Sequence, residues 1–199
     1  MAKLKLTKNE QKKQKDSLKR FERYLPTLML KKQQLQAEIR IVELRINELL
    51  RIKERGEQNL RKWAGLFTEE GIFTPDLVVI TKMRTREGNV AGVPIPIFDG
   101  AEFETVPYDL VLKPLWLDTA VDFMKKTLML DLEIQCIEEQ QRRLRKELQT
   151  TSQRVNLFEK IKIPEAKTNI KKIGIYLGDQ QTAAVVRGKI SKRGMERAE

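Results

Sequence analysis

Few residues in this chain have side chains suited to covalent or acid–base chemistry. Its 199 residues include no histidine. That removes the commonest general base, the commonest metal ligand and every Ser-His or Cys-His pairing. Serine occurs only at Ser17, Ser152 and Ser191, all in helical or tail contexts, and the single cysteine is Cys136. One cysteine without histidine makes neither an intrachain disulfide nor a zinc site, and a partly buried helical thiol is the expected role for Cys136. Gly188-Lys189 invites comparison with a phosphate loop, but Ala183 stands where the first glycine belongs and Ile190 where Ser or Thr should follow. Carboxylates are plentiful, yet on helix faces their default state is solvated. No catalytic residue, cofactor or metal is therefore expected, and the chain reads as one that works through protein contacts.

The composition agrees. Charged residues make up 34% of the chain and aromatics 6%, a balance that favours exposed helix surface over a thick core. The formal net charge is +11, unevenly spread: residues 1–62 carry +10, 63–114 carry −4 and 115–199 carry +5. Strongly basic ends suit nucleic acid or an acidic protein cavity. No apolar run approaches the ~20 residues of a membrane-spanning helix, and the charged N-terminus leads into no apolar stretch of the signal-peptide kind. One cysteine also fits a cytosolic setting.

Two segments carry a heptad seam. Steps of three and four from Leu18 pass through Phe21, Leu25, Leu28, Lys32, Leu35, Ile39, Val42, Ile46, Leu49, Lys53, Gly56, Leu60, Trp63 and Phe67. From Trp116 the same steps pass through Ala120, Phe123, Thr127, Leu130, Ile134, Ile137, Gln141, Leu144, Leu148, Thr151, Val155, Phe158 and Lys162. Sustained over so many heptads, the period predicts coiled-coil helices. Pro26 predicts a kink or short break around residues 24–27 in a continuous helix, and Pro164 breaks the ladder of the second. Ile170, Ile173 and Leu177 resume helical spacing beyond Pro164.

Between the seams the pattern changes. Residues 77–86 are β-branched and suit a strand, Glu87-Gly88-Asn89 has turn chemistry, residues 93–98 are extended around two prolines, and Asp99-Gly100 turns the chain again. The predicted fold is mainly α: a long antiparallel two-helix coiled coil from the N- and C-terminal segments with a small β-hairpin-containing insert. The predicted divisions are 1–67 for the first helix, 68–114 for the insert and 115–199 for the second helix with its basic tail. Zipped together, the helices would bring two segments of net +6, residues 1–20 and 160–199, to one end of a polarised rod.

Three blocks resemble a known family. They are Leu6-Thr-Lys-Asn-Glu10 with Leu18-Lys-Arg and Leu25-Pro-Thr-Leu28, then Asn89-Val-Ala-Gly-Val-Pro-Ile-Pro-Ile-Phe98, and, most specific, Gln153-Arg-Val-Asn-Leu-Phe-Glu-Lys-Ile-Lys-Ile-Pro164. The chain resembles the D subunit of vacuolar/archaeal-type rotary ATPases and ATP synthases. The tail after Gly178 departs from the pattern, which carries a charged Glu/Arg-rich helix there. The resemblance implies a non-catalytic rotor axle that couples ATP hydrolysis or synthesis to proton or sodium transport. Its partners would be the catalytic and nucleotide-binding subunits of the hexamer, the F subunit, and the subunit capping the membrane ring. It would lie in the cytoplasm, peripheral to the membrane, with no direct insertion and no nucleic acid bound. Ring contacts are expected from Lys12, Lys13, Lys15, Lys19, Arg20, Arg154, Asn156, Lys171 and Lys172, and contacts of the insert from Asn89, Val93, Pro94, Pro96 and Phe98. The alternatives are a prefoldin-like coiled-coil chaperone, which also pairs terminal helices around a hairpin, and a basic nucleic-acid-binding coiled coil. The aromatics argue against the latter, because they lie on the seams and not on a stacking face.

Overall fold

The computed structural model describes residues 4–62, 65, 77–108, 113–114 and 116–196. Helix α1 spans Lys8–Arg61, strands β1 and β2 span Val78–Val90 and Val93–Thr105, and helix α2 spans Trp116–Asn156. A π-helical turn, Leu157–Lys162, leads into helix α3, Ile163–Glu196. Among the described residues the chain is thus mainly helical, with an antiparallel hairpin between its helical segments. It divides into two compact units, residues 33–149 and residues 1–32 with 150–199.

Helix α1 begins at a cap. Thr7 Oγ1 accepts from the Glu10 amide at 3.3 Å, and the Thr7 carbonyl accepts from the Gln11 amide at 3.0 Å. The hydroxyl satisfies the Glu10 amide, which has no partner within the first helical turn, and the carbonyl accepts the first bond of the helical ladder. The helix passes Pro26 without a break. Every seam position from Leu18 to Leu60 is buried or half-buried. Trp63 and Phe67 lie outside the described residues.

In the unit of residues 33–149, α1 and α2 run antiparallel. Leu35 and Ile39 pack with Leu144, and Leu49 packs with Ile134 and Ile137. The polar interruptions of the seam are paired. Lys53 Nζ meets Asp131 Oδ1 at 2.7 Å, and Gln141 Nε2 donates to Glu43 Oε1 at 3.3 Å. Arg145 and Arg45 add bridges to Glu43 (2.8 Å) and Glu133 (2.9 Å). Such half-exposed pairs contribute little each, roughly 0.2–1 kcal/mol, but they disfavour other registers. At Gly56 the Phe123 ring edge would lie in ordinary contact with an added Cβ, at 3.6 Å.

The hairpin corrects two sequence expectations. Residues 87–89 do not turn the chain. They continue β1, and the reversal falls on Ala91-Gly92, with φ of 51° and 78°. Two consecutive positive φ values define the two-residue turn whose twist matches a hairpin. Asn89 Oδ1 closes it by accepting from the Gly92 amide at 2.9 Å. Asp99-Gly100 does not turn the chain either. Asp99 is the extra residue of a β-bulge, since Arg84 pairs with Gly100 and Thr85 with Phe98, and Gly100 takes φ 119°. At Gly88 an added Cβ would meet Ile97 Cδ1 at 2.5 Å, so the Ile97 side chain would have to shift to admit it.

In the other unit α1 packs antiparallel on the segment after Thr150. The Phe21 and Phe158 rings lie 5.2 Å apart, Glu22 meets Lys167 at 3.4 Å, and Gln11 lies beside Gly174. Here the seam skips a residue. Buried Thr151 and Val155 are followed by buried Ala166 and Ile173. Three heptads from Thr151 reach Lys172, one residue short of Ile173. A π-helical turn holds about one residue more than an α-turn. The turn at 157–162, with the Ile163 amide bonded to the Phe158 carbonyl, absorbs that residue. Pro164 follows directly. The π-turn frees a carbonyl from the ladder, and this is where a residue with no N–H does least harm. The tail beyond Gly178, the part that departs from the family pattern, continues as helix to Glu196 and is exposed throughout residues 179–193.

Candidate functional site

Two surfaces present the residues the sequence singled out. On α1, Lys12, Lys13, Lys15, Lys19 and Arg20 are all exposed. Gln11, Gln14, Ser17, Leu18 and Phe21 are half-buried on the other side of the helix. The cations therefore line the face away from the seam. Asp16 is the one carboxylate among them, and Arg20 Nη2 donates to Ser17 Oγ at 3.2 Å. On α3, Lys171 and Lys172 are exposed beside buried Ile173, and on α2 exposed Arg154 and Asn156 flank buried Val155. None of these cations is paired with a carboxylate among the described residues. α1 and α3 lie side by side in this unit, so both basic segments belong to one compact body.

The second surface is the hairpin. Val93 and Ile95 are buried against Leu35, Ile39 and Leu144, so Val93 is a core residue of the hairpin's seat. The Asn89 side chain is used by the turn. Pro94 and Pro96 alternate along β2 with both carbonyls turned toward α2. The Pro96 carbonyl accepts from Gln140 Nε2 at 2.6 Å and from the Cys136 thiol at 3.5 Å, and the Pro94 carbonyl accepts from Arg143 Nη1 at 3.2 Å. In an antiparallel strand a residue's N–H and C=O point the same way. Proline at these two positions thus removes donors that would have no strand partner, while helix side chains take the carbonyls. Gln140 and Arg143 were not picked out from sequence, and Cys136 only as a helical thiol; the only available signal for this contact was two prolines at a two-residue interval, which marks an edge to be covered. Pro94 remains exposed, and Pro96 and Phe98 are half-buried.

Cys136 is buried, and desolvation pushes its thiol pKa up, away from nucleophilic thiolate character. Tyr108 Oη donates to Asp118 Oδ1 at 2.6 Å, and this bond, with burial, pushes the phenol up to about 12. Among the described residues no group of three or more Cys, Asp or Glu is placed to hold a metal ion, and no helix is long and apolar enough to cross a membrane.

One unit is a helix pair with cationic outer faces, and the other is a helix pair with a hairpin clamped to it. A sequence profile of the ATP synthase D-subunit family matches residues 10–193. The V-type ATP synthase D subunit of Borreliella burgdorferi is 50% identical over 199 residues, covering 98% of this chain and 96% of its own. That of Chlamydia abortus is 33% identical, covering 97% and 94%, and that of Chlamydia muridarum is 32% identical, covering 97% and 96%. The chain belongs to the ATP synthase D-subunit family.

Proposed function

We propose that the chain is the central rotor axle of a V-type ATPase or ATP synthase, a non-catalytic subunit that carries rotation between an ATP-processing hexamer and an ion-carrying membrane ring. The observation that supports this most directly is the antiparallel packing of the terminal helical segments along seams that leave cationic faces unpaired. Paired helices resist bending and twisting better than either alone, as torque transmission requires. An axle must also turn, so its contacts with the ring must exchange among equivalent positions. Solvated lysines and arginines suit that task, because their attractions are screened and not geometrically locked.

In this reading Lys12, Lys13, Lys15, Lys19, Arg20, Arg154, Asn156, Lys171 and Lys172 face the catalytic and nucleotide-binding subunits, which hold the nucleotide chemistry. The hairpin, through Asn89, Pro94, Pro96 and Phe98 on a seat that includes Val93, belongs to the foot, near the F subunit and the subunit capping the membrane ring. The chain would then be cytoplasmic and peripheral to the membrane through the complex. The three predicted divisions, 1–67, 68–114 and 115–199, correspond to the axle's first helix, its foot and its second helix with the tail.

The test is reconstitution of the complex with Lys12, Lys13, Lys15, Lys19, Lys171 and Lys172 all replaced by Gln. Assembly should persist while ATP-driven ion transport per ATP falls and its dependence on salt weakens. Unchanged coupling and salt dependence would remove these residues from the ring contact. Absence of ATP-driven rotation of a probe attached at exposed Arg86 would remove the axle reading itself.

A further inference from the structure

At one level of the unit formed by residues 1–32 and 150–199, both helical ladders are open. On α1, Pro26 has no N–H to give the Glu22 carbonyl. On the facing segment the Ile163 amide bonds back five residues to the Phe158 carbonyl, and Pro164, next in line, has no N–H. The Glu159 carbonyl is therefore left without a ladder amide. Glu22 and Glu159 each follow one ring of the Phe21–Phe158 pair, whose centroids lie 5.2 Å apart. The two gaps thus lie side by side, each one residue beyond the same contact. Little else braces this level. No side chain between Val155 and Ala166 is fully buried, and α1 has no buried residue before Leu35. The ion pair across it, Glu22 with Lys167, is 3.4 Å long and joins two exposed side chains. Glu22, Pro26, Glu159 and Pro164 are all exposed, so water can take up both open carbonyls.

We propose that this level is a bending joint of the helix pair, about which residues 8–21 with 163–178 lean against residues 27–32 with 150–156. Prolines and π-turns are the usual seats of bends, because each removes axial bonds that resist them. A gap in one helix alone would be splinted by an intact neighbour. With both gaps at one level, neither helix splints the other, and the paired rings of Phe21 and Phe158 are left as the pivot. The use of the joint rests on the axle reading. Lys12, Lys13, Lys15, Lys19, Lys171 and Lys172 all lie on its tip side. A lean there re-aims these cations as the surrounding ring changes shape, while the seam on either side stays closed.

The experiment compares wild type with a variant in which both ladders are closed: Pro26→Ala, deletion of Ile161 and Pro164→Ala. Residual dipolar couplings of the weakly aligned full chain give a degree of order for residues 9–20, and another for residues 27–32 with 150–156. In wild type the first should be lower than the second by about a third or more, and in the closed variant the two should agree. Equal order in wild type overturns the proposal, because a fixed bend would give that result. So does a difference that the closed variant keeps. Pro26→Ala alone closes one gap and should fall between the two, so it decides the matter if the closed variant does not fold; order unchanged from wild type then overturns the joint. In the reconstituted complex the closed variant should assemble and hydrolyse ATP slower by about twofold or more, and an unchanged rate removes the joint's role in turning. A wild-type probe at Arg86 that does not rotate removes the axle reading but not the joint, which is read in the chain by itself.

Discussion

Removing one residue from the π-helical turn separates its two causes. Ile161 is 54% exposed, so its deletion costs little burial. Without it, residues 157–163 can close as ordinary α-helix with the seam in phase, because Ala166, Ile170, Ile173 and Leu177 each move back one position. Pro164 then meets a regular turn. It lacks the N–H for the carbonyl four residues back, and its ring clashes with that carbonyl, at a cost of about 3 kcal/mol. Deletion of Ile161 should therefore destabilise by about that amount. Combining it with Pro164→Ala should recover most of the loss, a coupling of roughly 2–3 kcal/mol. Pro164→Ala alone should change stability by less than about 1 kcal/mol, because the residue skip keeps the π-turn in place. If the full-length chain were instead forced into α-helix, Glu165, Asn169 and Lys172 would take the seam places of Ala166, Ile170 and Ile173, and burying those polar and charged groups is far costlier. The assay is a urea denaturation series on the four proteins, followed by far-ultraviolet circular dichroism. Additive losses, or a neutral deletion with Pro164 present, would refute the account.

Two other changes have calculable outcomes. Ile95→Ala removes a buried side chain from the cluster with Leu35, Ile39 and Leu144 and should cost about 2–4 kcal/mol, read as faster amide hydrogen exchange through β1 and β2 with α3 unaffected. Tyr108 should titrate near pH 12 by its phenolate absorbance, and Asp118→Asn should bring it back toward 10. Because the folded-state pKa is raised, the stabilisation from this bond is complete below about pH 10. It is lost as pH climbs through the raised value, so wild type and Asp118→Asn should converge in stability across that window.

Periodicity carried most of the fold. All the seam positions among the described residues are buried or half-buried, including Lys53 and Gln141, which an apolar-only reading would reject. They are tolerated because Asp131 and Glu43 reach across from the facing helix, information held in the other half of the sequence. The hairpin was legible as two strands with a turn, but not where the turn lies. Glu87-Gly88-Asn89 and Asp99-Gly100 both have turn composition, and a local rule cannot rank them against Ala91-Gly92. Packing decides. Val93 and Ile95 must both face Leu35 and Leu144, and that register sets Gly88 against Ile97 and leaves Gly100 to carry the bulge.

The sequence by itself therefore determined the helix pair, the intervening hairpin and the lack of histidine chemistry, because a period of three and four and an absent residue type survive without coordinates. Tertiary structure alone decided which glycines turn the chain, how the proline edge of β2 is covered, why the seam slips at the π-turn, and which faces of α1 remain uncovered. Those outcomes depend on what stands opposite each residue, and no linear spacing encodes its neighbour across the seam.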